Sequence, residues 1–379
     1  MKDSVRMNES RNLGARVIAL YLPQFHPIPE NDEWWGKGFT EWTNTAKATP
    51  LFRGHYQPHI PADLGFYDLR LPESRGAQAA LAREYGIEAF CYYHYWFGEG
   101  RRLLERPFNE VLASGQPDFP FCLCWANQTW TGVWHGAPKR VLIEQTYPGP
   151  DDHRRHFETV LPAFLDPRYI RVDGKPLFVV YAPNDLPEPR KFTDLWRDLA
   201  VRAGLPGLFF VAEHLRHDWA PEQYGFDASV NIRLPPKRRE WVPYRRPITK
   251  FIVKILEWTG RPTIHDYADV LDDLIEDATP GIESFPCLIP NWDNTPRSGA
   301  NGMVLRGSTP ELFRNHVRQA IQRVQLMPAD HRLVFVKSWN EWAEGNHLEP
   351  DLKFGRAYLQ VLLDELQYIG IADVNWGAD

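Results

Sequence analysis

Eight short apolar runs, most of them followed by a segment with helical character, constrain this chain of 379 residues more than any other feature. In order they are "RVIALYLPQFH", "IEAFCYYHYWF", "FPFCLCWAN", "KPLFVVYAP", "GLFFVAEH", a weaker "FDASVNI", "SFPCLIPNWDN" and "RLVFVKSWNEW". Runs that stay apolar instead of alternating suit parallel strands buried on both faces. Between them, "PESRGAQAALAREYG" predicts a helix stopped by Gly86, and "FTDLWRDLAVRAG" one stopped by Gly204. "FNEVLASG", residues 151–165, "HDYADVLDDLIEDA" and "FGRAYLQVLLDELQYIG" complete the expected helices, together with "TPELFRNHVRQAIQRVQ", where Thr309 caps and Pro310 takes the first helical position. Eight such units predict an α/β fold, a single closed (β/α)8 TIM barrel over residues 15–379. An open doubly wound sheet would want a glycine-rich turn after its first strand, and "PQFHPIPEND" has no glycine. Residues 1–14 are polar and read as a disordered leader without the apolar core of a signal peptide.

A barrel of this kind carries its active site at the C-terminal strand ends. Strand one and the loop after it offer Tyr21, Gln24, His26, Trp35, Glu41 and Trp42. Strand two offers Tyr93, His94 and Trp96, strand three Trp125, Asn127 and Trp130, strand four Tyr181, strand five Glu213 and His214. Strand seven offers Asn291, Trp292 and Asp293, and strand eight Trp339, Asn340, Glu341 and Glu344. Polar and aromatic residues crowd every end but the sixth.

Composition narrows the chemistry. The chain holds 15 Trp, 15 Tyr and 21 Phe, clustered with Asn, Gln, His and Glu in "CYYHYWF", "CWANQTWTGVW" and "SWNEW". An indole has an apolar face and a polar tip, which matches the C–H face and polar edge of a sugar ring. Core packing is the competing explanation for any single ring. A net charge of -6 gives no reason to expect a nucleic-acid partner. Four scattered cysteines without a CxxC pair read as buried free thiols of a reducing compartment, and no stretch is long and apolar enough to span a membrane. These features predict a cytoplasmic protein. His153 and His156, or His214 and His217, have no evident third ligand, so neither a metal nor any other cofactor is expected. No GxSxG or GxxxxGK[ST] motif is present.

Glu341 and Glu344 follow the eighth run inside "SWNEWAEG". A single Glu at a strand–loop junction is usually a cap or a surface charge. Two of them, flanked by indoles at the expected mouth, suit glycosidic-bond cleavage, which uses one carboxyl as acid and one as base or nucleophile. Burial raises a carboxyl pKa and keeps the acid protonated near neutrality.

With "YLPQFHPIPENDEWWGKGFTEW", "AFCYYHYWF" and "CWANQTW", that motif resembles the WbsX-like family of bacterial surface-polysaccharide clusters, also described as having a glycoside hydrolase family 99-like domain. The resemblance runs over roughly residues 15 to 367. It implies a retaining endo-α-mannosidase-type enzyme on a (β/α)8 barrel. Glu341 matches the residue that deprotonates the sugar 2-hydroxyl, and Glu344 the acid that protonates the departing oxygen. The implied intermediate is a 1,2-anhydro sugar. WbsX-like proteins were labelled glycosyltransferases, so transfer onto a lipid-linked polysaccharide repeat of O-antigen type is the alternative. A catalytically silent glycan-binding barrel is a third reading, disfavoured by the two intact glutamates.

Residues 233–262 read as an insertion, with nine Lys or Arg against two Glu over 233–261. Ile248, Phe251, Ile252, Ile255 and Leu256 fall at helical spacing. A surface helix on the barrel is the bland explanation. The functional one is peripheral contact of residues 245–258 with an anionic inner-membrane surface or a lipid diphosphate.

Overall fold

A computed structural model describes residues 13–132, 137–213, 221–236, 260–275 and 283–376. Eight parallel strands form the barrel: β1 Arg16–Tyr21, β2 Ile87–Trp96, β3 Phe121–Trp125, β4 Lys175–Val180, β5 Phe209–Glu213, β6 Ala228–Asn231, β7 Ser284–Leu288 and β8 Leu333–Val336. Each strand pairs with the next, and β8 returns to β1 through Arg16↔Leu333 to Ala19↔Val336. The sheet is therefore closed, as the eight runs predict.

Helices Pro72–Glu84, Pro150–Leu165, Pro189–Arg202 and Pro310–Val324 all begin on proline, whose fixed φ suits the first helical turn. The Thr309 side chain accepts from the Leu312 amide at the last of these starts. Helix Ala357–Trp376 closes the ring beside β1, and the Gly14 amide donates to the Leu366 carbonyl. Leu13 and Gly14, expected within the leader, thus belong to the packed fold.

Between strands and helices lies an aromatic layer. His156 stacks on Trp96 at 4.7 Å and packs edge-on against Trp125 and Trp196. This layer fixes the outer face of β2 and β3.

One expected helix is corrected. Among the described residues of "HDYADVLDDLIEDA", 265–275, only Tyr267–Val270 is α-helical, with a 3-10 turn after it over Leu271–Asp273. His265 and Asp266 end a strand, Thr263–Asp266, that pairs in parallel with Met303–Arg306. That non-local pairing overrides local helical preference. A satellite core of Tyr267, Leu271, Leu274, Ile289, Trp292, Met303 and Leu305 lies under the strand pair. The basic amphipathic stretch 245–258 lies outside the described residues. No described helix is long and apolar enough to cross a membrane.

Candidate active site

A cavity of about 570 Å³ opens at the C-terminal ends of the strands. Leu22 and Gln24 enter it after β1, Tyr93 and Tyr95 from β2, Ala126, Gln128 and Trp130 after β3, and Tyr181 after β4. Ile232 and Leu234 follow β6, Trp292, Asn294 and Arg297 follow β7, and Lys337, Glu341 and Glu344 follow β8. Trp35 and Met303 complete much of the wall.

The two glutamates stand on a tight reversal. Asn340 and Glu341 pair antiparallel with His347 and Asn346, and a 3-10 turn over Trp342–Glu344 joins them. Gly345 ends the turn at φ 58°, the left-handed region that favours glycine. A Cβ there would fall 2.8 Å from the Asp293 Cβ. The Asp293 amide donates to the Glu344 carbonyl at 2.6 Å, so the β7 loop is laced to the acid turn. Ser338 Oγ accepts from the Glu341 amide and donates to the Asn346 carbonyl, which locks the base of the reversal.

Three carboxylates converge on Arg297. Its Nε donates to Glu41 Oε1 at 2.7 Å and its Nη1 to Glu344 Oε1 at 2.6 Å, while Glu341 Oε2 lies 3.5 Å from Nη1. Lys337 Nζ stands 3.6 Å from Glu341 Oε1 and donates to the Tyr93 hydroxyl at 2.9 Å. Burial pushes both carboxyls of the turn upward, but the outcomes diverge. At Glu341 the Lys337 and Arg297 charges outweigh burial and hold the group below the ordinary glutamate value. At Glu344 burial and the neighbouring Glu341 charge prevail, and the carboxyl is pushed up to about 7. The two directions describe a protonated Glu344 beside an ionised Glu341.

Of the residues expected at the site, Gln24, Trp35, Tyr93, Trp130, Tyr181, Trp292, Glu341 and Glu344 line the cavity. Glu41 stands behind it, holding Arg297. Glu213 is fully buried and contributes to the field at Lys337.

The others are brought elsewhere. Tyr21 donates to Gln78 Oε1 on helix Pro72–Glu84. His94 meets His156 at 2.8 Å and the Trp96 indole donates to Asp152, both on helix Pro150–Leu165. The Trp125 indole donates to the Trp96 carbonyl, and Trp42 to the Tyr67 carbonyl. Asn127 ties the ends of β3 and β4 through Ala182 and Tyr147. Asn340 binds both backbone groups of Leu22. Asp293 accepts from His55, Gln57 and Thr295. Trp339 packs fully buried against Phe90, so it does not face a ligand in this cavity. Trp342 likewise stacks on His347 at 3.7 Å. The indoles of "SWNEW" therefore floor the acid turn, and the cavity takes its indoles from Trp35, Trp130 and Trp292. His26 lines a separate cavity and Asn291 a small one beside His347. His214 lies outside the described residues. Successive strand residues point to opposite faces, so a strand end delivers only every second side chain.

Reading by residue type alone missed Arg297, Lys337 and Tyr95. Lys337 had a signal, a lone cation closing the apolar run "RLVFVK". Arg297 had none, since its partners lie 256 and 47 positions away. The fold also gathers His59, His347 and Asp351, with ligand atoms within 4.8 Å of one another. His59 Nδ1 and His347 Nε2 already share a hydrogen bond at 2.9 Å, which accounts for both without an ion.

A sequence model for the family described as Glycosyltransferase WbsX matches residues 17–362. The chain belongs to the WbsX family. Two curated relatives, each called "Uncharacterized protein WxcX", come from strains B100 and ATCC 33913 of Xanthomonas campestris pv. campestris. Each is 41% identical, over 354 and 356 residues, covering 92% of this WbsX chain and 49% of the relative. The chain thus spans about half the length of the curated relatives it matches. Among solved structures, a GH99 endo-α-mannosidase from Bacteroides thetaiotaomicron is similar with a TM-score of 0.58 and 15% identity, covering 95% of this chain and 98% of that one. A structure described as a glycoside hydrolase-like protein gives 0.56 and 14%, covering 97% of each. At these identities the likeness establishes the barrel of the WbsX chain.

Proposed function

We propose that this chain is a carbohydrate-active enzyme that cleaves an α-glycosidic, mannoside-like bond of an oligosaccharide or polysaccharide with retention. One observation carries the reading: two neighbouring carboxyl groups are biased toward opposite protonation states. Glu341, ionised, takes the proton of the sugar 2-hydroxyl as its oxygen attacks the anomeric carbon. Glu344, protonated, gives its proton to the departing glycosidic oxygen. The resulting 1,2-anhydro sugar opens when Glu344 takes a proton from water, which attacks the anomeric carbon, while Glu341 returns its proton to the 2-oxygen. This belongs with the substrate-assisted departures from the double-carboxylate scheme. The cavity indoles would cover the apolar face of the sugar. The likeness to an endo-α-mannosidase barrel supports the bond type.

The test is a donor lacking the 2-hydroxyl. Wild-type protein should cleave the parent α-linked oligosaccharide and leave its 2-deoxy and 2-O-methyl analogues intact. Turnover of the 2-deoxy donor, or a glycosyl ester trapped on either glutamate, would replace the anhydro route with ordinary double displacement.

The family description favours a second reading, transfer of the same glycosyl unit to a sugar acceptor instead of water. A surface-polysaccharide repeat of O-antigen type, free and lipid-linked, separates the two. Shortened products mark hydrolysis and lengthened ones mark transfer.

A further inference from the structure

The loop after β1 holds the loop after β7 at two points. Glu41, on helix Glu41–Lys47, accepts from Arg297 Nε, and farther along the same loop His55 and Gln57 reach Asp293. The loop after β7 in turn holds Glu344 at two points. The Asp293 amide donates to its carbonyl at 2.6 Å, and Arg297 Nη1 donates to its carboxyl at 2.6 Å. Asp293 stands at the junction, because its side chain also sets where the segment bearing Arg297 begins. Its Oδ1 accepts from the Thr295 amide and hydroxyl at the start of the short helix Thr295–Ser298.

The other carboxylate oxygen depends on the β1 loop. Oδ2 accepts from His55 Nε2 at 2.6 Å and from Gln57 Nε2 at 2.8 Å. The Leu51 amide donates to His55 Nδ1, so the neutral ring carries its hydrogen on Nε2, toward Asp293. The ring is buried and stacks on Phe52 at 4.3 Å. Burial opposes the Asp293 charge, but the bonds from His55, Thr295 and Gln57 outweigh it and hold the carboxyl below the ordinary aspartate value. The acid turn has no slack against this residue. A Cβ on Gly345 would meet the Asp293 amide nitrogen at 2.9 Å and its carbonyl oxygen at 3.1 Å. In so close a packing, a displacement of Asp293 moves the turn with it.

We propose that His55 and Asp293 are positioning residues for Glu344: His55 holds Asp293, and Asp293 sets the placement of the Glu344 carboxyl against Arg297. The inference rests on the acid role proposed above for Glu344. Neither residue lines the cavity, so their effect passes through Glu344 and Arg297. Burial and the Glu341 charge raise the Glu344 carboxyl, while Arg297 and Lys337 lower it. Of these groups only Arg297 stands on the loop that Asp293 organises, so loosening that loop releases Glu344 upward.

The experiment reads the ionisation of Glu344 by carbon-13 NMR of the full chain labelled at its glutamate carboxyls, the resonance assigned by its loss in Glu344→Gln. The same proteins are assayed for kcat and KM on an α-linked oligosaccharide, with thermal melts confirming that each folds. In His55→Phe the Glu344 carboxyl should titrate about one pH unit higher, as expected when an opposite charge moves off a carboxylate. Its kcat should fall about tenfold with KM little changed, as for a misplaced reacting group. His55→Gln keeps a donor toward Asp293 and should return both quantities toward wild type. Asp293→Asn, of the same shape with one acceptor fewer, makes the comparison should His55→Phe not fold. A folded variant that melts lower but keeps the wild-type Glu344 titration and kcat overturns the proposal and leaves a purely structural pair. So does a His55→Gln protein as impaired as His55→Phe. A Glu344 titration that moves with His55 in a protein whose wild type cleaves no saccharide upholds the positioning and removes the cleavage reading.

Discussion

Lys337 and Glu341 face each other at 3.6 Å across the start of the acid turn, both buried. The ammonium belongs to the first residue after β8, and the carboxylate to the residue four further on. Their attraction, with that of Arg297, holds Glu341 below the ordinary glutamate value and suits it to the base role proposed above.

Activity should therefore follow a bell-shaped pH profile. The proposed route needs Glu341 ionised, so its acid limb should fall below the ordinary glutamate range. It also needs Glu344 protonated, so the rate declines as pH rises through about 7. Lys337 lowers both carboxyls. Lys337→Met should move both limbs of kcat/KM to higher pH, the acid limb further. An unmoved acid limb would remove Glu341 from the role of base.

Glu344→Gln deletes the proton donor of the proposed route. General acid catalysis contributes on the order of a hundredfold or more, so kcat on an oligosaccharide should fall at least that far. On an aryl glycoside whose phenol leaves without protonation, the loss should be much smaller. Equal losses on both substrates would point to a structural role for the carboxyl.

Arg297→Met strips fully buried Glu41 of its 2.7 Å partner. Leaving a buried charge uncompensated costs about 3–5 kcal/mol, visible as a lower urea midpoint. Arg297→Met with Glu41→Gln should regain much of that stability without regaining activity. If stability stays lost in the double variant, Arg297 serves the fold through other contacts.

Asn127→Ala tests an assignment by position. Its amide makes bonds to Ala182 N, Ala182 O and Tyr147 Oη, all within 2.9 Å. At about 1 kcal/mol each, losing three should cost about 3 kcal/mol of stability. KM should change little in the protein that remains folded. A large rise in KM at unchanged melting temperature would return Asn127 to the ligand.

The barrel was legible because each strand is buried on both faces and so reads as one apolar run. The same property hid the site. In a strand apolar throughout, nothing in "CYYHYWF" says whether Tyr93 or His94 points inward, and the interior receives Tyr93 and Tyr95. The glutamates were legible because their turn is local, with both carboxyls and Gly345 within eight residues. Arg297 was not, because its role exists only after β7 and β8 meet. The strand Met303–Arg306 was missed for a related reason: its partner, Thr263–Asp266, is distant in sequence.

The alternation along β2 has a consequence for variation. Tyr93 and Tyr95 line the cavity, while His94 and Trp96 bond to helix Pro150–Leu165. Binding preference and thermal endurance are thus written on interleaved letters of one word. A saturation scan of residues 93–96 should give two phenotypes in strict turn, altered substrate choice at odd positions and altered heat resistance at even ones. A lineage can then drift toward a new ligand through the odd positions while the even ones keep the barrel standing.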